Sequence, residues 1–76
     1  MSVRYYEILM WWDSENPQEL DGRMTTSSLP MALKKAKRET REYGRVEVNL
    51  IHESRSPGDI VSCELIASWE NGKRVC

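Results

Sequence analysis

Few residues in this chain could make or break bonds, and their types and spacing bound what it can do. His52 is the single histidine, so any nucleophile and base scheme would have to use it. Alternation from Leu50 puts it at the frayed end of a strand, and no serine or cysteine motif of a catalytic kind surrounds it. The carboxylate pairs Asp13 with Glu15 and Glu39 with Glu42 sit in polar stretches, with nothing to desolvate them for acid–base work. Cys63 and Cys76 are too few for a disulfide scaffold, and their spacing matches no metal-binding pattern. The sequence contains no glycine-rich phosphate loop. The expectation is a protein without catalytic residues, metal site or cofactor, which acts by binding.

Charge and aromatic groups are the better candidates for function. Lys34, Arg38 and Arg41 follow at intervals of four and three, which aligns them on one ridge of a helix. Lys35 and Lys37 add to its positive charge, against only Glu39 and Glu42. Such a ridge is either a solvated helix face or a site for a phosphate backbone or an acidic protein surface. The formal net charge of −1 speaks against holding nucleic acid by bulk electrostatics.

The elements that must position these groups are legible from periodicity. Val3 to Trp12 is rich in aromatic and β-branched residues and reads as a strand. Tyr6, Ile8, Met10 and Trp12 form one uncharged face, while Val3, Tyr5, Glu7, Leu9 and Trp11 form the other with a single charge. A strand apolar on both sides belongs in the middle of a sheet, or meets a partner. Residues 13–22 have loop and turn chemistry, and Arg23 to Thr26 is a candidate second strand. Ser28 before Leu29-Pro30 is a helix start, because serine caps free N–H groups and proline lacks the donor that the first turn cannot use. Leu29, Leu33, Ala36, Thr40 and Tyr43 then mark one stripe, with Gly44 suited to a left-handed cap, so the helix should span about 29 to 43.

Val46, Val48 and Leu50 alternate with Glu47, Asn49 and Ile51, and Val61, Cys63, Leu65, Ala67 and Trp69 alternate with Ser62, Glu64, Ile66 and Ser68, which reads as two half-buried strands. A loop at 54–59 separates them. Asn71-Gly72 is a type I′ hairpin signal and predicts a last strand from Lys73 to Cys76. Its register sets Glu70 opposite Lys73 and Ala67 opposite Cys76. Cys63 then lies about 13 Å from Cys76, too far for a disulfide.

The fold expected is α+β: an antiparallel sheet of four to five strands with one helix packed on one face, in the order β-(β)-α-β-β-β, as a single domain over residues 1–76. Seventy-six residues bury only about 60 to 65% of the unfolded chain's surface. No apolar run approaches the length that spans a bilayer, and the N-terminus lacks secretory-signal features, so a cytoplasmic protein without a membrane partner is expected.

One helix covers one face of a sheet. With Val46, Val48, Leu50, Val61, Leu65 and Trp69 beneath the helix, Ile51, Ile60, Ile66 and Val75 would face away. They would be joined there by Tyr5, Leu9 and Trp11 among Glu7, Glu47, Glu64 and Lys73. Aliphatic and aromatic groups among charges suit a protein-binding surface. The alternatives are that the first strand is flipped, or that the 13–22 loop covers this face.

Three segments resemble small phage-encoded type I anti-CRISPR proteins. They are Ser28-Leu29 through Lys34-Lys35-Ala36-Lys37-Arg38-Glu39, then Gly44-Arg45-Val46, then Trp69-Glu70-Asn71-Gly72-Lys73-Arg74 with Cys76. The chain departs from that family in its longer 13–22 loop and its insertion at 54–59. The resemblance implies a non-enzymatic inhibitor that docks on Cas subunits of a type I surveillance complex and blocks its pairing with target DNA. The sites expected for the partner are Tyr5, Glu7, Leu9, Trp11, Glu47, Glu64 and Lys73 on the sheet and Lys34, Arg38 and Arg41 on the helix. The competing readings are a nucleic-acid-binding module that uses the basic ridge, and a homodimeric structural or assembly protein, and the chain is expected as a monomer or a homodimer.

Overall fold

Sequence alternation and turn chemistry resolve, in a computed structural model, into five strands and one helix among the described residues. The structure describes residues 3–12, 20–53 and 60–76. The expected loops at 13–19 and 54–59 lie outside the described residues, as do the side chains of Val3, Ile60 and Val61. The elements are β1 (Val3–Trp11), β2 (Gly22–Thr26), α1 (Leu29–Glu39), β3 (Arg45–Glu53), β4 (Ile60–Glu70) and β5 (Lys73–Arg74). All neighbouring strands are antiparallel, and the sheet order is β2-β1-β3-β4-β5. The chain therefore has the expected α+β fold, with the candidate second strand present. β1, apolar on both faces, runs between β2 and β3.

That topology dictates where the helix goes. β2 and β3 both run antiparallel to β1, so they are parallel to each other, and the segment joining them must cross over β1. α1 makes that crossing. Its Ser28 cap accepts from the Met31 backbone N–H, and Pro30 occupies the first turn. Ala32 and Ala36 are fully buried, with Ile8, Met10, Val46, Val48, Ala67 and Trp69, and Leu33, Met24 and Tyr6 pack around them. Two alanines on the inner stripe remove side-chain bulk between helix and sheet, which lets the helix lie close to the strands. Ala32 was not part of the expected stripe.

The helix is shorter than its periodicity suggests. It ends at Glu39, and residues 40–42 continue as a turn closed by backbone bonds from Arg41 to Arg38 (3.3 Å) and from Glu42 to Glu39 (3.1 Å). The Thr40 hydroxyl donates to the Lys37 carbonyl at 2.6 Å, satisfying one of the end groups that a further turn would have used. Gly44 is not in the left-handed region. It is a junction instead: its N–H donates to Trp12 O (3.1 Å) and its carbonyl accepts from Asn71 N–H (2.8 Å). The left-handed positions described are Asn71 (φ 50°) and Gly72 (φ 83°), which form the expected hairpin turn. Glu70 faces Lys73 and Trp69 faces Arg74 as that turn requires, but strand pairing stops at Arg74 and leaves Cys76 beyond the ladder.

A β-bulge overturns one expectation about faces. Val48 pairs with Ala67, yet the next residue, Asn49, pairs with Leu65, so Ile66 is the extra residue of β4. Ile66 consequently packs against the helix-side core, whereas Leu65 turns to the far face and is 46% exposed. Strict alternation had assigned both residues the other way round. Below the bulge the parity of β4 is reversed, so Glu64, opposite Leu50, stands on the helix side of the sheet rather than the far side. It is exposed there because 11 helical residues reach only about 16 Å along strands that run about 30 Å.

The bulge makes a measurable prediction. In equilibrium denaturation, Ile66→Ala should cost more than Leu65→Ala, and Ile8→Ala, at a fully buried site, about 2–5 kcal/mol. A larger loss for Leu65→Ala than for Ile66→Ala would restore the unbroken alternation.

Candidate partner-binding site

Across the far face, side chains form four rows set by strand register. Tyr5, Ile51 and Cys63 make one row, then Glu7, Asn49 and Leu65, then Leu9, Glu47 and Ser68, and last Trp11, Arg45, Glu70 and Lys73. The expected residues Tyr5, Glu7, Leu9, Trp11, Glu47 and Lys73 therefore do share this side, and Glu64 does not. Much of the surface is already engaged within the chain. Trp11 is 8% exposed, with the Arg45 guanidinium carbon 5.6 Å from its ring centroid, and Ile51 is 1% exposed. Glu7 is paired with Arg23, and Glu47 accepts from Arg45 Nε at 2.8 Å. Leu65 is an open apolar group on this face, 46% exposed. Such partly exposed ion pairs each contribute about 0–1 kcal/mol to stability, but they neutralise the charges that a partner would read.

The Tyr5 hydroxyl donates to Glu53 Oε1 at 2.8 Å. This hydrogen bond, with smaller contributions from desolvation and the neighbouring Glu53 and Glu7 carboxylates, raises the Tyr5 pKa above the ordinary tyrosine value. On the opposite side of the same strands, His52 Nε2 accepts from Arg4 Nε at 3.0 Å. Among the described residues no group of three or more His, Cys, Asp and Glu side chains is arranged to hold a metal ion. Cys63 and Cys76 are exposed free thiols.

The helix side gives a different picture. A helix about 10 Å across covers little more than two strands spaced about 4.8 Å apart. α1 makes its main contacts with β1, β3 and β2 and shares a core with Ala67 and Trp69 of the β4–β5 hairpin, which borders the helix. A groove of about 350 Å³ opens between them, lined by Lys34, Lys37, Arg38, Thr40, Arg41, Trp69 and Gly72. All three expected ridge residues are here. The structure adds Lys37, which completes an i, i+3, i+4, i+7 set and was readable from spacing, and the Trp69 and Gly72 wall, which sequence spacing did not reveal. Arg74 stands over the Trp69 ring at 5.6 Å and donates to the Cys76 carbonyl at 2.9 Å, so a fifth cation borders the same hairpin.

Little opposes that charge. Arg38 has Glu39 at 3.7 Å, on exposed surface. Among the described residues no carboxylate is within ion-pair distance of Lys34, Lys37 or Arg41. Two residues on from Arg41, Tyr43 stacks on Trp12 with ring centroids 4.3 Å apart and planes 27° from parallel. Trp12 is held by its backbone, its N–H donating to Asp21 Oδ2 at 2.7 Å and its carbonyl accepting from Gly44, while its side chain is 57% exposed. Gly22 leaves room for this corner: a Cβ there would meet Met10 Cε at 3.0 Å and the Tyr43 hydroxyl at 3.4 Å. Trp12 was expected as part of the covered face, and nothing in the alternation marked it as open.

No protein-family model, curated protein or solved structure matches this chain. No helix among the described residues is long and apolar enough to cross a membrane.

The Tyr5–Glu53 bond can be tested by titration. Because the folded pKa is raised, the contribution of Tyr5 to stability is present below its unfolded value and disappears as pH climbs through the folded one. Tyrosinate absorbance of the folded protein should contain a component above pH about 10 that is missing in Tyr5→Phe. A variant with an unchanged titration curve would contradict the bond.

Proposed function

We propose that this chain is a non-enzymatic inhibitor which binds a type I CRISPR surveillance complex inside the bacterial host cell and blocks its access to target DNA. The helix-hairpin groove is its principal contact. The observation that carries this reading is the row of four cations, Lys34, Lys37, Arg38 and Arg41, on one wall of a single groove, where among the described residues only Arg38 has a carboxylate, Glu39, within ion-pair distance. A surveillance complex is a ribonucleoprotein, rich in anionic surface, and a pre-formed cationic groove is complementary to it. The resemblance of the helix and hairpin segments to small type I anti-CRISPR proteins falls on the same two elements that form the groove.

The far face supports a lesser role. Its carboxylates Glu7 and Glu47 are already paired with arginines, and Trp11 is buried, so Tyr5, Leu9 and Lys73 would border a contact rather than drive it. Charge that is satisfied within the chain contributes little to attracting a partner.

The test uses a purified type I surveillance complex, size-exclusion co-elution and a target-duplex binding assay. The chain should co-elute with effector subunits and suppress duplex binding. Combined Lys34→Glu, Arg38→Glu and Arg41→Glu should weaken association by roughly 100-fold, about 3 kcal/mol, whereas Tyr5→Ala should have a much smaller effect. A chain that retains no effector subunit defeats the proposal.

A further inference from the structure

We infer that the groove and Trp12 together form a binding site for single-stranded nucleic acid, with phosphates along the Lys34, Lys37, Arg38 and Arg41 wall and one base stacked on the Trp12 indole. This deepens the function proposed above, because it rests on the same groove and names the anion within the ribonucleoprotein that the groove would hold.

The three tryptophans differ in a way that points to stacking at one of them. Trp11 and Trp69 are 8% and 7% exposed, and each has an arginine over its ring. Trp12 is 57% exposed, and among the described residues Tyr43 is the ring stacked against it. A large aromatic ring left in water is unfavourable unless something covers it. This ring is also pre-oriented: Tyr43 fixes its plane, and Gly44 and Asp21 fix its backbone. Preorganisation lowers the entropic cost of stacking a flat ligand.

Connectivity brings ring and groove together. Arg41 in the groove wall is two residues from Tyr43, and Gly72 in the opposite wall adjoins Asn71, whose N–H donates to Gly44. Gly44 in turn donates to Trp12. Met10, Val46 and Trp69 lie in one cross-strand row, and Trp12 is two residues beyond Met10 on the helix side of the sheet. Two strand spacings across and two residues along place Trp12 and Trp69 about 12 Å apart, a span of a few nucleotides.

The chemistry discriminates among polyanions. Four cations in a row attract any phosphate backbone, but an indole face is useful only to a base that is not already paired and stacked. Duplex DNA presents no such base, and an acidic peptide presents no flat ring of that size. The net charge of −1 also limits non-specific duplex binding, since the attraction is confined to the groove.

The experiment measures fluorescence anisotropy of a labelled 12-nucleotide oligothymidylate with the intact chain, against a duplex of equal length and with polyglutamate as competitor. Single strand should bind more tightly than duplex, with a slope of log K against log salt near −3 for four phosphate contacts. Trp12→Ala should weaken single-strand binding about 5- to 150-fold, Trp12→Phe should restore much of the loss, and Lys37→Glu with Arg41→Glu should abolish the salt dependence for two contacts. Thermal melts of each variant check folding, which the exposure of these side chains should preserve. Equal affinity for duplex and single strand, indifference to Trp12→Ala in a folded variant, or displacement by polyglutamate at equal charge would each overturn the inference. Retained association with the surveillance complex alongside failed oligonucleotide binding would refute this inference alone. Oligonucleotide binding without association would refute the inhibitor.

Discussion

The close seating of α1 on the sheet, through Ala32 and Ala36, is the constraint from which the rest follows. The crossover from β2 to β3 obliges the helix to lie over β1, and the two alanines bring its backbone down onto the layer that contains Ile8, Val46 and Val48. A helix seated there makes its main contacts with β1, β2 and β3 and meets β4 at the core shared with Ala67 and Trp69. Its outer flank, with Lys34, Lys37, Arg38 and Arg41, therefore becomes one wall of a groove and the β4–β5 hairpin the other. In a chain this small, one short helix cannot cover every strand along its whole length, which is a consequence of size as much as of topology.

Charge is divided between the two sides of the sheet in a way that composition conceals. Eleven Lys and Arg against twelve Asp and Glu suggest a molecule without electrical character. On the far face, however, Arg23 pairs with Glu7 and Arg45 with Glu47, so positive and negative groups cancel over a few ångströms. On the helix flank the cations stand nearly alone. Local potential, not net charge, governs encounter with a partner, and here the potential is concentrated where the surface is also concave.

The fold was legible because its signals were local. Periodicity marked β1, β3 and α1, the Asn71-Gly72 pair marked the last hairpin and its register, and Ser28 with Pro30 marked the start of the helix. The facing errors on β4 share one origin, which is that period-two reasoning cannot see a bulge. With Leu65 and Ile66 adjacent and both apolar, either could have faced the core, and the choice between them was made by pairing with Val48 and Asn49 on another strand. Glu64 was misplaced for the same reason. The end of α1 depended on one Thr40 hydroxyl bond, which competes with a further helical turn without altering the hydrophobic pattern. On the site, the cationic ridge was visible as spacing, but its opposite wall was not, since Trp69 and Gly72 come together with the helix only through tertiary packing. Trp12 was hidden more deeply. Its parity matched the core-facing residues of β1, and only the end of the strand at Trp11 and the stack on Tyr43 turned it outward.

In the function proposed above, one groove between α1 and the β4–β5 hairpin receives an anionic partner while the far face of the sheet stays outside the contact. Residue-by-residue chemical-shift mapping of isotope-labelled protein during titration with an oligonucleotide examines this most directly. Shifts should cluster at the amides of residues 34–41 and 69–72 and at the Trp12 indole N–H, leaving Tyr5, Leu9, Glu47 and Leu65 unmoved. Shifts centred on those last four residues, with the groove silent, would contradict it.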